Sequence, residues 1–256
     1  MTKAIIFDLD DTLYRIEDSF KYAVKASVPN FDLINISTLY KHFRHYSNKY
    51  FESSQSGLIS MEYMRKTRFI EAMSHFNIII DDAQAVIFQK NYSELVYNTP
   101  LSSEVVEILE FLKSNNVPRG IITNGESKHQ WRKINMMGLT KYFDPEYIIV
   151  SGDFGIDKPD IRIFKEMEGK FPKKMTFLYV GDSYDNDIVG SYESGWENIW
   201  LTDSNANLPY VGRKVSNISE IKTTELYSIS WFRLYFIPVQ EILRLDISLI
   251  IVRFLC

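Results

Sequence analysis

Asp8 and Asp10 stand two apart at the end of the apolar run Ala4-Ile5-Ile6-Phe7. A short continuous apolar run bounded by polar residues predicts a strand buried on both faces, as in a parallel sheet. Carboxylates at the C-terminal end of such a strand occupy the edge where open α/β sheets bind their ligands. In extended backbone the two share one side, and like charges there repel unless a cation or a proton intervenes. Asp-Asp-Thr is also ordinary turn chemistry, so this stretch alone is compatible with a capped turn.

Three more stretches end a β-like segment or begin a loop. They are Thr123-Asn124-Gly125, Lys158-Pro159, and Gly181-Asp182-Ser183 with Asp187 beyond it. Singly, each has a plain reading: a strand-end turn, a surface lysine before a proline, and a turn followed by a helix cap. A parallel sheet would bring them to one edge together. That edge would hold four carboxylates (Asp8, Asp10, Asp182, Asp187), the Lys158 ammonium and the Thr123 hydroxyl, a formal charge of −3. Such a charge needs a cation, and a hard divalent ion with oxygen ligands, Mg²⁺ above all, suits carboxylates and carbonyls. With it, the edge can accept a phosphate dianion.

The elements that must position these groups alternate. Val117 to Thr123, Tyr147 to Val150, Thr176 to Val180 and Asn198 to Leu201 read as strands. Helices are expected from Ser102, over Ser127 to Met137, over Asp160 to Glu168 and over Asp187 to Ser194. Alternation of this kind predicts an α/β fold, a Rossmann-like doubly wound parallel sheet. Residues 15 to 96 differ. Glu17 to Ser27, Thr38 to Phe51, Met61 to Phe76 and Ala83 to Tyr97 all read as helices, the last capped by Asp81-Asp82. The expected division is a catalytic core of residues 1–15 and 97–227, an inserted all-helical cap of residues 16–96, and an apolar C-terminal tail of residues 228–256. The tail does not fit the alternation. It reads as a segment packed on its own core, with a homodimer contact or a membrane-surface contact as the functional alternatives.

A net charge of −4 gives no electrostatic reason to expect a nucleic-acid polymer as partner. The single cysteine, Cys256, excludes an intrachain disulfide and fits a reducing compartment. There is no signal peptide pattern, and no uncharged apolar run approaches the roughly 20 residues that cross a bilayer. A cytoplasmic protein is expected. His42, His45, His75 and His129 lack metal-ligand spacing and read as surface or packing residues. Tyr14, Tyr46 and Tyr50 could stack on a substrate base, although aromatics at helical spacing usually belong to a core.

In order along the chain, Asp8-Leu9-Asp10-Asp11-Thr12, Ile121-Ile122-Thr123-Asn124-Gly125, Asp157-Lys158-Pro159-Asp160 and Gly181-Asp182-Ser183-Tyr184-Asp185-Asn186-Asp187 resemble the four motifs of the haloacid dehalogenase-like (HAD) hydrolases. The chain looks most like the helical-cap branch of pyrimidine 5′-nucleotidases and N-acylneuraminate-9-phosphatases. The resemblance implies Mg²⁺-dependent hydrolysis of a small phosphorylated metabolite through an aspartyl-phosphate. It implies that Asp8 is the nucleophile, Asp10 the acid and base, and Thr123 and Lys158 the groups on the phosphoryl oxygens. Asn124 and Ser183 would add substrate contacts. Asp8, Asp182 and the backbone carbonyl of Asp10 would hold the metal, with Asp187 on Lys158 or on a metal-bound water. A nucleoside 5′-monophosphate is the first expectation for the substrate and a sugar phosphate the second. A phosphomutase is the next alternative. A 2-haloacid dehalogenase needs no acid at position 10, and a non-catalytic protein would be expected to have lost one of these residues.

Overall fold

The computed structural model describes residues 2–29 and 31–221. The expectations for the tail, residues 228–256, lie outside them.

Strand β1 (Lys3–Phe7) is followed by four helices, α1 (Ile16–Ser27), α2 (Ile36–Gln55), α3 (Met61–Ser74) and α4 (Asp82–Tyr97). Then come α5 (Ser103–Ser114), β2 (Arg119–Thr123), α6 (Ser127–Met136), β3 (Ile148–Val150) with the short α7 (Ser151–Phe154), and α8 (Ile161–Lys170). Strand β4 (Thr176–Gly181) leads into a π-helical turn (Tyr184–Val189) continued by α9 (Gly190–Glu193), and β5 (Glu197–Leu201) and β6 (Arg213–Val215) are the last strands among the described residues. The six strands are all parallel, in the order β3-β2-β1-β4-β5-β6. The sequence pattern foresees five of them. β6 is a three-residue edge strand, Arg-Lys-Val, too short and too polar to give a periodic signal.

β1 is central, which explains its unbroken apolar run. Ile5 and Phe7 face one buried cluster, and Ala4 and Ile6 face the other, as a period of two requires. The register sets the edge that carries the carboxylates. Phe7 pairs with Ile121 on β2 and with Val180 on β4. Asp8 and Asp10, Thr123 and Asp182 therefore leave three adjacent strands at one level.

The inserted helices pack around aromatic rings that are continuous with the buried cluster on one face of the sheet. The rings of Phe69 and Phe88 stack at 3.6 Å, and Phe20 and Phe43 approach to 4.8 Å. Asn35, Ser60 and Asp81 cap α2, α3 and α4, each accepting from a backbone amide in the first turn, and Asp81 with Gln84 completes a capping box. α2 is longer than the pattern suggests at both ends. In the expected stripe of α2, Leu39 and Phe43 are buried, whereas Tyr46 and Tyr50 lie against α3 through His75 and Glu71. His42 stacks on His75 at 3.9 Å, a packing role as expected.

Candidate active site

The first loop turns on Asp11, which adopts a left-handed backbone conformation (φ 60°). Its side chain caps α1 by accepting from the amide of Ile16 at 2.8 Å, and it also accepts from the Tyr40 hydroxyl of α2 at 2.6 Å. Asp11 is thus a capping residue, and one that ties the helical insertion to the sheet edge. The sharp turn leaves Asp8 and Asp10 facing different partners.

Asp8 is buried, and its Oδ1 accepts from the Lys158 ammonium at 2.6 Å. Lys158 also donates to Asp187 Oδ1 at 2.7 Å and to the Tyr179 hydroxyl at 2.8 Å. Tyr179 donates onward to the carbonyl of Ile122. The backbone of Lys158 is clamped by Asn124, whose side chain donates to its carbonyl and accepts from its amide, both at 2.9 Å. Burial opposes the charge on Lys158, but Asp187 and Asp8 hold its ammonium protonated well above the usual range. Burial pushes the Asp8 carboxyl up to about 7; Lys158 opposes this, while Asp187 and Asp10 add to it.

Asp187 is fully buried. Its second oxygen accepts from the amide of Ser183 at 2.9 Å, and a side chain at Gly181 would collide with its carboxylate. That close approach explains the glycine before Asp182. The Ser183 hydroxyl accepts from the amide of Asn186 at 3.3 Å, so in this conformation it caps the turn. Asp182 completes the group: oxygens of Asp8, Asp182 and Asp187 lie within 4.8 Å of one another. Burial, then Asp11, Asp8 and Asp187, raises the Asp182 carboxyl well above the carboxylate range. Three crowded acids with oxygen-only donors, two of them (Asp8 and Asp182) with unfavourable ionisation, fit a hard divalent cation. Both oxygens of Asp187 are already engaged, which leaves Asp8 and Asp182 as the freer ligands.

Asp10 sits differently. Both of its oxygens accept from the ammonium of Lys133 at 2.6 Å, and Gln130 donates to it at 3.1 Å. The Tyr14 hydroxyl makes a further short hydrogen bond to it. Burial would push the Asp10 carboxyl up, but Lys133 and Tyr14 outweigh burial and hold it ionised, below the carboxylate range. The side chain of Asp10 is not among the three clustered acids, so only its backbone carbonyl remains as a metal ligand. Gln130 also lies 2.5 Å from the Thr123 hydroxyl and donates to the carbonyl of Asn124.

Sequence reasoning misses Lys133, Gln130 and Tyr179. The available signal is faint: Gln130 and Lys133 fall on the buried stripe of α6 beside Ile134, where apolar residues are the rule. Tyr14 is at the site, but its hydroxyl serves Asp10. Tyr46 and Tyr50 contact His75 and Glu71 rather than the carboxylates. A cavity of about 810 Å³ opens beside the carboxylates, with Asp11, Tyr14, Tyr40 and Asp182 in its wall.

A family model for haloacid dehalogenase-like hydrolase matches residues 2–191. The chain is a HAD-like hydrolase. The pyrimidine 5′-nucleotidase YjjG of Escherichia coli is 27% identical to this HAD-like hydrolase, over 80% of the chain and 88% of its own length. The glyceraldehyde 3-phosphate phosphatase of Methanocaldococcus jannaschii is 26% identical, over 76% and 82%. Among solved structures, the HAD-hydrolase YfnB of Bacillus subtilis, described as bound to magnesium, shares the fold with a TM-score of 0.64, 21% identity and coverage of 89% and 98%. The L-2-haloacid dehalogenase of Xanthobacter autotrophicus shares it at a TM-score of 0.62, with 16% identity and coverage of 86% and 97%. Among the described residues of this HAD-like hydrolase, no helix is long and apolar enough to cross a membrane.

Proposed function

We propose that this HAD-like hydrolase is a Mg²⁺-dependent phosphatase that cleaves a small phosphomonoester in two steps, by way of an aspartyl-phosphate on Asp8. The observation that carries the reading is the Lys158 ammonium, held between Asp8 and Asp187 and backed by Tyr179. A cation fixed so firmly beside a buried carboxylate suits an anionic substrate that must come within bonding distance of that carboxylate.

Asp8 attacks phosphorus with a carboxylate oxygen while the leaving oxygen departs on the opposite side. Lys158 and the Thr123 hydroxyl hold the phosphoryl oxygens, with Asn124 and Ser183 as neighbouring contacts. Asp10 gives the leaving oxygen its proton and takes one from the water that then splits the acyl-phosphate. Lys133 and Tyr14 favour its ionised form, so Asp10 is better prepared for the second step than for the first. Asp8, Asp182 and the carbonyl of Asp10 would hold Mg²⁺, with Asp187 positioning Lys158. When bound, the ion would offset carboxylate charge and polarise the phosphoryl group.

The helical insertion, residues 16–96, acts in this reading as a cap that closes over the site and meets the leaving group. Tyr40 on Asp11 is one of the contacts that hold it to the sheet edge, with Arg65 on Glu126 and Tyr97 on His129 as others. The YjjG relative favours a nucleoside 5′-monophosphate as substrate, and the glyceraldehyde 3-phosphate phosphatase favours a sugar phosphate. The cytoplasm, as a reducing compartment, is the proposed location.

The test is phosphate release from a panel of phosphomonoesters, with Mg²⁺ and with EDTA. Mg²⁺-dependent release from at least one ester is expected. No release from any ester, nor from the acyl phosphate acetyl phosphate, would overturn the reading.

A further inference from the structure

Two arginines of the helical insertion, Arg44 on α2 and Arg68 on α3, stand near each other with no carboxylate at ion-pair distance from either among the described residues. The third arginine nearby, Arg65, is paired with Glu126 at 2.8 Å. Arg44 lies one helical turn beyond Tyr40, so it shares the face that Tyr40 lays against Asp11. Its side chain makes no hydrogen bond among the described residues. Burial works against its charge, yet Tyr40, Asp11, Asp182 and Asp10 together hold it protonated. Arg68 lies over the ring of Phe43 at 4.4 Å and donates to Ser47 and Gln89 at 3.2 and 2.8 Å. Its Nε is buried without a hydrogen-bond partner among the described residues. Burial, and then Arg65 and Arg44, lowers its guanidinium to about 10, so it stays charged at neutral pH.

Bringing two cations together out of water is unfavourable unless an anion joins them. The carboxylates that Arg44 faces lie at the sheet edge, and a divalent cation there would meet part of their demand for positive charge. The planar guanidinium groups are then left for an oxyanion, which they can bind through paired donors. Tyr40, one turn before Arg44, is in the wall of the cavity beside the carboxylates, so a leaving group that fills this cavity extends toward Arg44.

We propose that Arg44 and Arg68 form a subsite for a second oxyanion, a carboxylate or a second phosphate, on the leaving group of the substrate. The substrate class is thus a phosphomonoester that carries a distal acid. This rests on the phosphomonoesterase reading of Asp8.

The experiment compares kcat/KM within matched pairs of esters: 3-phosphoglycerate with glycerol 3-phosphate, 6-phosphogluconate with glucose 6-phosphate, and orotidine 5′-monophosphate with uridine 5′-monophosphate. Glucose 1,6-bisphosphate beside glucose 6-phosphate tests a second phosphate in place of a carboxylate. The full-length wild-type chain should prefer the acidic member of at least one pair by about ten- to a hundredfold. In Arg44→Met that preference should fall to within about threefold, and Arg44→Lys should keep part of it. Equal kcat/KM in every pair for the wild-type chain would overturn the subsite while leaving the phosphatase reading intact. A preference that survives in Arg44→Met would overturn it too. Acetyl phosphate separates the two readings: if the wild-type chain releases no phosphate from it or from any ester, the parent reading has failed instead.

Discussion

The Lys133 ammonium lies 2.6 Å from both carboxylate oxygens of Asp10, although 123 residues separate the two in sequence. Asp10 is the residue expected to exchange protons in both steps, and its strongest partner is a buried cation on α6. That pairing favours the ionised form needed to accept a proton from water, and it opposes the protonated form needed to help the leaving group.

Lys133→Met should therefore raise the Asp10 pKa. Hydrolysis of the aspartyl-phosphate, which needs the ionised form, should then lose rate on the acid side at a higher pH than in the wild-type chain. A pH profile of single-turnover dephosphorylation checks this. An acid limb that stays in place would mean that Lys133 serves only the packing of α6.

Asp8→Asn removes the nucleophile with little change in shape. Turnover should fall by at least about 10³. The fold should persist, because Lys158 keeps Asp187 and Tyr179 as partners. Loss of the charge also relieves the repulsion from Asp187 and Asp10 that helps raise the Asp8 carboxyl. The melting temperature in EDTA should consequently match or exceed that of the wild-type chain. Phosphate release at the wild-type rate would remove Asp8 from the mechanism.

Metal removal should be felt in stability as well as in activity. Without a cation, Asp8 ionises only near pH 7, against about 3.9 in an unfolded chain. Between those values the folded state binds the extra proton, so the metal-free protein loses stability as pH rises through that window. Added Mg²⁺ relieves the same repulsion. It should raise the melting temperature more at pH 8 than at pH 5, a difference that thermal melts with and without EDTA would reveal. An equal increment at both pH values would argue against the carboxylate cluster as the metal site.

His129 carries a pH dependence of opposite sign. Its Nδ1 lies 2.5 Å from the Tyr97 hydroxyl at the end of α4, and burial, followed by Lys133, lowers its pKa to about 3. Unfolded, the imidazole would take up a proton near pH 6.5. From about pH 6.5 down to 3 the unfolded state binds the proton and the folded state does not, so stability falls as pH falls. His129→Gln should flatten that part of the stability curve, as denaturant titrations across the range would show. An unchanged slope would assign the acid sensitivity to other groups.

The legible part of this molecule was local. Ala4 to Phe7 announced a strand buried on both faces because a central parallel strand has no polar side to show. The stretches carrying Asp8, Thr123 and Asp182 each sit where an apolar run stops, and Lys158 lies in a loop beyond β3, so the sheet and the polar groups along its edge could be read. Helix limits were legible to within a few residues wherever a capping side chain marked them, as at Asp81 and Ser102. β6 was not legible, because three edge residues cannot display a period. Lys133 was not, because a lysine on a helix normally belongs to the solvent.

By itself the sequence determined the alternation of strands and helices, the insertion after the first strand and the residues at the sheet edge. Those follow from hydrophobic periodicity and turn chemistry, which act over a few residues. Only the tertiary structure decided how the charges are shared: Lys158 with Asp8 and Asp187, Lys133 with Asp10, Tyr40 with Asp11, and Arg44 and Arg68 with no carboxylate in ion-pair contact among the described residues. Pairing of buried charges depends on which side chains the fold brings within about 3 Å, and residues 29 to 150 positions apart leave no mark of that on the spacing of the chain.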